Sequence, residues 1–264
     1  MGSATREALA ASKAELSAIG SVDLATVSEI FAVGRVIGNS AQLRGILADT
    51  STEEAQKKGA LHAVFGSTIS DKTLGLLAEA VGRRWSSASD LLAGIEELGL
   101  RAAAESAPAD ANIEAELFAF GTAVSSDAGL ELAIGSKQGG DEAKLALVDA
   151  LLAGKFSAQT REIVRQLVQQ PRGRRIGELL RNASAIVADQ SGLSVAIVTA
   201  AQPISGEQLV RLHKALAVSY GRELKINFII DPSIIGGLRV QVGDDVIDDS
   251  IQRKLGELRL QLAG

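Results

Sequence analysis

The chain repeats itself. The segment EIFAVGRVIGNSAQLRGIL, beginning at Glu29, lies over ELFAFGTAVSSDAGLELAI, beginning at Glu116, without a gap and at an offset of 87 residues. The same offset sets Lys57 on Lys144, Ala63 on Ala150, Ser70 on Ser157, Thr73 on Thr160 and Val81 on Val168. A short insertion around Gln170 and Pro171 then brings GRRW at Gly82 against GRRI at Gly173. Periodicity alone aligns the apolar positions of any two amphipathic helices, but it does not hold Lys, Ser and Thr at one fixed offset. The unit is far longer than a solenoid repeat, which implies two copies of one helical domain.

Within each copy, apolar residues recur at three- and four-residue spacing, as in Ile30, Val33, Gly34 and Ile37, or Leu145, Val148, Leu151 and Leu152. That is the helix period. The offset carries Arg6–Glu15 onto Ala93–Ala102, so Ala88–Ser106 is expected to close the first copy and open the second. Charged residues differ between copies, Arg35 against Thr122 and Arg44 against Glu131, which predicts divergent surfaces on a common core. Near Gly192 the pattern changes to strand (SVAIVTA), helix, strand (LKINFII), short strand (LRVQV) and a last helix. This order marks a small α/β unit. The expected fold is mainly α: a first helical bundle over residues 1–106, a second, repeated bundle over 107–191, and an α/β C-terminal domain over 192–264.

Composition removes several functions. Aromatic residues make up 3% of the chain, so its core must come from Ala, Leu, Val and Ile, which suits close helix packing better than an aromatic-lined ligand pocket. A net charge of −5 argues against nucleic acid, whose phosphates call for clustered Lys and Arg. Without cysteine there is no disulfide, thiolate nucleophile or thiolate metal site. Arg6, Glu7, Lys13 and Glu15 interrupt the N-terminal segment where a signal peptide needs an apolar run. No stretch approaches the roughly 18 apolar residues of a membrane helix, so membrane association is expected only through a partner. His62 and His213, the two histidines, each sit in a helical pattern without a second ligand nearby in sequence. Gly154-Lys155 lacks the upstream glycine of a P-loop. The basic run Pro171-Arg172-Gly173-Arg174-Arg175 is echoed at Arg83 and Arg84 and reads as a helix start or a protein contact rather than a phosphate site. No catalytic residue, metal site or cofactor is expected.

The C-terminal stretch DPSIIGGLRVQVGDDVIDDSIQRKLGELRLQL holds most of the glycine and acid chemistry, and each of these residues has an architectural reading. Asp231-Pro232 opens a turn. Gly236-Gly237 allows positive φ before Leu238, Val240 and Val242 alternate onto one strand face. Gly243-Asp244 turns the chain into Val246 and Ile247. Beyond Asp248, Ser250 reads as an N-cap, and the following helix aligns Ile251, Leu255, Leu258 and Leu262 in a narrow apolar stripe, with Leu255, Leu258 and Leu262 a partner interface. The aspartates from Asp244 to Asp249 lack the ligand spacing of a calcium loop.

This stretch, with VAIVTAAQPISGEQLVRLHKAL before it, resembles the C-terminal signature of delta subunits of F-type ATP synthases, the bacterial relatives of the mitochondrial oligomycin sensitivity-conferring protein. The resembling residues are Asp231, Pro232, Gly236, Gly237, Gly243, Asp244, Val246, Ile247, Asp248 and Ser250. The duplicated helical part is similar to long, actinobacterial forms. The resemblance implies a non-catalytic stator subunit of the peripheral stalk. Its helical part would hold N-terminal helices of the alpha subunits, and its C-terminal part would join b-type stalk subunits. One copy would serve each complex, at the cytoplasmic face of the cell membrane, without contact to nucleic acid. The second helical copy, next to the C-terminal unit, is the expected alpha-binding copy. A generic helical adaptor of another assembly is the alternative.

Overall fold

The computed structural model describes residues 2–108, 111–135, 140–192, 194–221, 224–232, 237–242 and 245–248. It divides into two compact units, residues 1–187 and 188–264. The first is helical, with α1 Ser3–Ala18, α2 Leu24–Asn39, α3 Ala41–Ala48, α4 Glu54–Phe65, α5 Asp71–Gly82, α6 Ala88–Glu105, α7 Ile113–Ser126, α8 Ala128–Gly135, α9 Asp141–Leu152, α10 Ala158–Gln169 and α11 Ile176–Gln190. Helices α8, α9 and α10 begin and end 87 residues after α3, α4 and α5, so the sequence repeat is a repeat of elements. A single core runs through both copies, from Ala8 to Val187.

Helix α6 is where the copies meet. At the offset of 87, α1 falls on residues 90–105, so α6 is at once the last helix of the first copy and the first helix of the second. It packs against α1, α2, α3 and α5 of the first copy and α10 of the second. Leu91, Ile95, Leu98, Leu100, Ala102 and Ala103 are all buried. Two of its glycines permit this crowding: a Cβ at Gly94 would collide with the Trp85 indole, and one at Gly99 with the Phe31 ring. Trp85 is therefore a core residue, 1% exposed, and its Nε1–H donates to the Ala80 carbonyl at 2.8 Å.

Each copy carries the same polar lock. Ser70 caps α5, its Oγ accepting from the Thr73 amide at 3.3 Å. Glu29 of α2 in turn accepts from the Ser70 amide at 3.1 Å, from Ser70 Oγ at 2.7 Å, and from Thr73 Oγ1. In the second copy Glu116 of α7 accepts from the Ser157 amide at 3.0 Å, Ser157 Oγ at 2.6 Å and Thr160 Oγ1, and Ser157 caps α10. The fixed offset of Ser and Thr thus has a physical cause: together they bind the carboxylate that ties the fifth helix of each copy to its second.

The second unit has a four-stranded sheet ordered β2-β1-β3-β4, with β1 Ser194–Ala200, β2 Leu224–Ile230, β3 Leu238–Val242 and β4 Asp245–Asp248. Strands β1 and β2 are parallel and joined through α12, Gly206–Tyr220, as a parallel pair requires a crossover. Strand β3 runs antiparallel to β1, and β4 antiparallel to β3. Ser205 and Gln208 form the capping box of α12 that the sequence predicts. Ala196, Val198, Leu216, Leu224, Val240 and Val242 make the core, and in β3 the alternation of Val240 and Val242 inward against Arg239 and Gln241 outward follows the sequence.

Two outcomes follow. Gly99→Val should lower stability by about 1–3 kcal/mol in urea titration, because the added atoms overpack the α6–α2 contact. Partial burial opposes the charge on Glu29, but the hydrogen bonds from Thr73 and Ser70 outweigh it and hold the carboxyl below the ordinary glutamate range. A depressed carboxyl stabilises the fold above its unfolded pKa, near 4.3, and that stability is lost as the pH falls through the lower folded value. Melting temperatures recorded from pH 6 down to about pH 3 should therefore fall less steeply for Glu29→Gln than for the parent chain.

Candidate functional site

The chemistry of the helical unit lies in how the copies join. Helix α2 rests on α10 through three polar contacts: Ser28 Oγ donates to Glu162 Oε2 at 3.3 Å, Arg35 donates to Gln166 Oε1 at 2.6 Å, and Gln170 Nε2 donates to the Gly34 carbonyl at 3.2 Å. Burial lowers the Arg35 pKa from its ordinary value, and Glu162 opposes that shift. Arg35, one of the charges that differs between copies, is thus used in the seam between them.

The basic run of the α10–α11 turn closes the other side. Arg172 Nη2 lies 2.8 Å from Glu96 Oε1, and Arg174 Nη2 lies 2.9 and 3.1 Å from the two carboxylate oxygens. The Glu96 side chain is only 4% exposed, and a carboxylate removed from water to that degree needs paired cations. Arg172 adopts a positive φ of 48°, a conformation uncommon outside glycine, in making this contact. Glu97, one residue on, joins Lys13 of α1 at 3.0 Å and Arg101 at 2.8 Å. Arg172 and Arg174 of the run therefore clamp α6 through Glu96. Glu96 escapes a reading of the basic run alone, but the repeat supplied a signal: its counterpart is Leu9, an apolar residue replaced by an acid.

In the second unit the signature residues serve the sheet. The Asp231 amide donates to the Ala200 carbonyl at 2.9 Å, tying the end of β2 to the end of β1, and Pro232 follows at the surface. Gly237 has φ 84°, the positive value expected before β3. Val246 and Ile247 lie on β4, 39% and 46% exposed, and the backbone of Asp248 pairs with Arg239. Gly236, Gly243, Asp244, Ser250, Leu255, Leu258 and Leu262 lie outside the described residues, and with them the apolar stripe. Among the described residues no group of three His, Cys, Asp or Glu side chains is placed to hold a metal ion. His62 lies on α4 and His213 on α12. The described surface has a pocket between α1 and the α5–α6 turn, and exposed Val210 and Val218 on α12.

A family model described as "ATP synthase delta (OSCP) subunit" matches residues 99–262. The ATP synthase subunit delta of Leifsonia xyli is 51% identical over 265 residues and covers the whole of both chains. Those of Streptomyces griseus and Pseudarthrobacter chlorophenolicus are 37% and 33% identical, again over the whole of both chains. The chain belongs to the ATP synthase delta (OSCP) family. It is a stator subunit and not a catalytic one. The family model begins inside α6, so α1–α5 stand before it, yet the full-length delta relatives match across them too. The first helical copy is thus shared by long delta chains.

The sharing of α6 gives a direct test. Removing residues 1–107 from this delta-family chain takes away the first helix of the second copy and uncovers Arg172, Arg174 and the α6-facing side of α10. The helical part of the remaining chain should lose its cooperative thermal transition, which circular dichroism at 222 nm would follow.

Proposed function

We propose that this chain links the catalytic head of the ATP synthase to its peripheral stalk, holding alpha-subunit N-terminal helices with its helical unit and b-type subunits with its α/β unit. The observation that carries this reading is the division into two units with separate hydrophobic cores, one built from helices α1–α11 and one around the four-stranded sheet. Two cores give two independent surfaces, which is what a link needs. One copy per complex serves the reading, since a single link restrains a single head.

Binding energy in such a link comes from buried apolar area and a few anchor residues, not from reacting groups. Attachment to the membrane is peripheral in this reading, at the cytoplasmic face and through the stalk. Among the described residues no single helix is long and apolar enough to cross a membrane. The pair α7 and α8 reaches the required composition only together, with a bend of 108° between them, and Ile113, Leu117, Phe120 and Val124 of α7 belong to the core.

Titration of the full chain with a synthetic N-terminal peptide of its cognate alpha subunit, followed by calorimetry, tests the head contact. Saturable binding at or below roughly tens of micromolar is expected, corresponding to at least about 6 kcal/mol. Absence of binding at that level favours an adaptor of another assembly.

A further inference from the structure

The sheet of the second unit has two edges, and they differ. Strand β4 closes one side with four residues, DVID, and an aspartate stands at each end of it. Short strands and charges are how sheets keep an edge from pairing with another chain. Strand β2 closes the other side with seven residues, LKINFII, with neither proline nor glycine and with one charged residue, Lys225. Its composition is that of a segment ready to pair. Ile229 and Ile230 at its end are 37% and 55% exposed.

The backbone shows which groups of β2 are open. The Asp231 amide donates to the Ala200 carbonyl, so position 231 faces β1. Backbone groups of a strand alternate between its two sides, and among the described strands β2 has a neighbour on one side only. Asn227 and Ile229 therefore turn their amides and carbonyls to β1, whereas Leu224, Ile226, Phe228 and Ile230 turn theirs to the open edge. The same four residues lie on the core face of the sheet, since the register sets them beside Ser194, Ala196, Val198 and Ala200, the last three of which are buried. The open backbone groups and the apolar row thus belong to the same residues.

We propose that β2 is a docking edge for a second copy of this chain, the two β2 strands running antiparallel about a two-fold axis at Phe228. The occupant follows from self-complementarity. Ile226 and Ile230 stand two residues either side of Phe228, so an axis there, and nowhere else on the strand, sets all three outward apolar residues against the same three of the other copy. Phe228 meets Phe228 and exchanges both backbone bonds with it. Ile226 does the same with Ile230 of the second copy, and the exposed Ile230 gains an apolar neighbour. On the opposite face this register sets position 225, a lysine, against position 231, an aspartate, so the one charge of the strand meets its opposite. Leu224 falls opposite Pro232, which has no amide to donate, and the pairing ends there. A two-fold contact consumes both β2 edges, and the β4 edges carry aspartates, so assembly stops at two chains. The inference concerns the chain free of other subunits and does not rest on the head-to-stalk reading.

Two such strands paired edge to edge bury less than the roughly 1,200 Å² of stable complexes, so the association is weak and is measured at high concentration. Sedimentation equilibrium of the full chain from about 5 to about 500 μM should show the average mass rising from one chain toward two. Over the same range, amide hydrogen exchange should slow with concentration at Ile226, Phe228 and Ile230. It should stay constant at Asn227 and Ile229, whose amides β1 already holds. Ile230→Lys, at a position more than half exposed, should keep the parent circular dichroism and weaken association at least about tenfold. Lys225→Asp sets like charges opposite each other and should weaken it as well. Should Ile230→Lys unfold the second unit, the exchange pattern of the parent chain decides. A parent chain that stays monomeric throughout would overturn the pairing. So would a dimer whose amides at 226, 228 and 230 exchange at the monomer rate, because its contact then lies elsewhere. Either result leaves the link reading to the alpha-peptide titration.

Discussion

Everything in the helical unit depends on the burial of one helix, α6. It belongs to both copies of the repeat, and no face of it is left to solvent along its middle turns, where even Glu96 and Arg101 are buried. Its apolar residues are shared between two sets of neighbours, so neither copy has a complete core without it. Charge burial on this scale is tolerated because each group is paired: Glu96 with Arg172 and Arg174, Arg101 with Glu97, and Glu97 with Lys13 as well. The consequence is mechanical. Two bundles joined by a flexible linker would swing, whereas two bundles sharing a buried helix move as one body.

The repeat also shows how a duplicated domain divides its duties. What the fold needs is kept in both copies: the Glu29 lock on Ser70 and Thr73 recurs as Glu116 on Ser157 and Thr160. What the surface does has diverged. Arg35 has become part of a seam with Gln166, where its counterpart Thr122 is exposed and donates to the Phe118 carbonyl of its own helix. The insertion that brings Arg172 lets the turn before α11 reach Glu96, a reach the shorter turn before α6 does not need because Leu9 offers no acid. A stator gains from this arrangement, since stiffness within the chain resists torque.

The sequence by itself determined a great deal. Periodicity, the capping box at Ser205 and the offset of 87 decided that the first part is helical and repeated, that Ser205 starts a helix, and that α/β structure begins near Gly192. These are local properties: a cap or an amphipathic period depends on residues within one or two turns. The Asp231 and Gly237 readings were legible for the same reason, since a turn and a positive φ are short-range demands. Family membership was legible because those demands recur in a fixed order along the C-terminal stretch. Only the tertiary structure decided that Trp85 is core, that Arg172 and Arg174 of the basic run grip Glu96, and that α2 covers α10. Each of these joins residues 9 to 136 positions apart, and nothing in the sequence near either partner specifies which distant group will stand opposite it once the helices have packed.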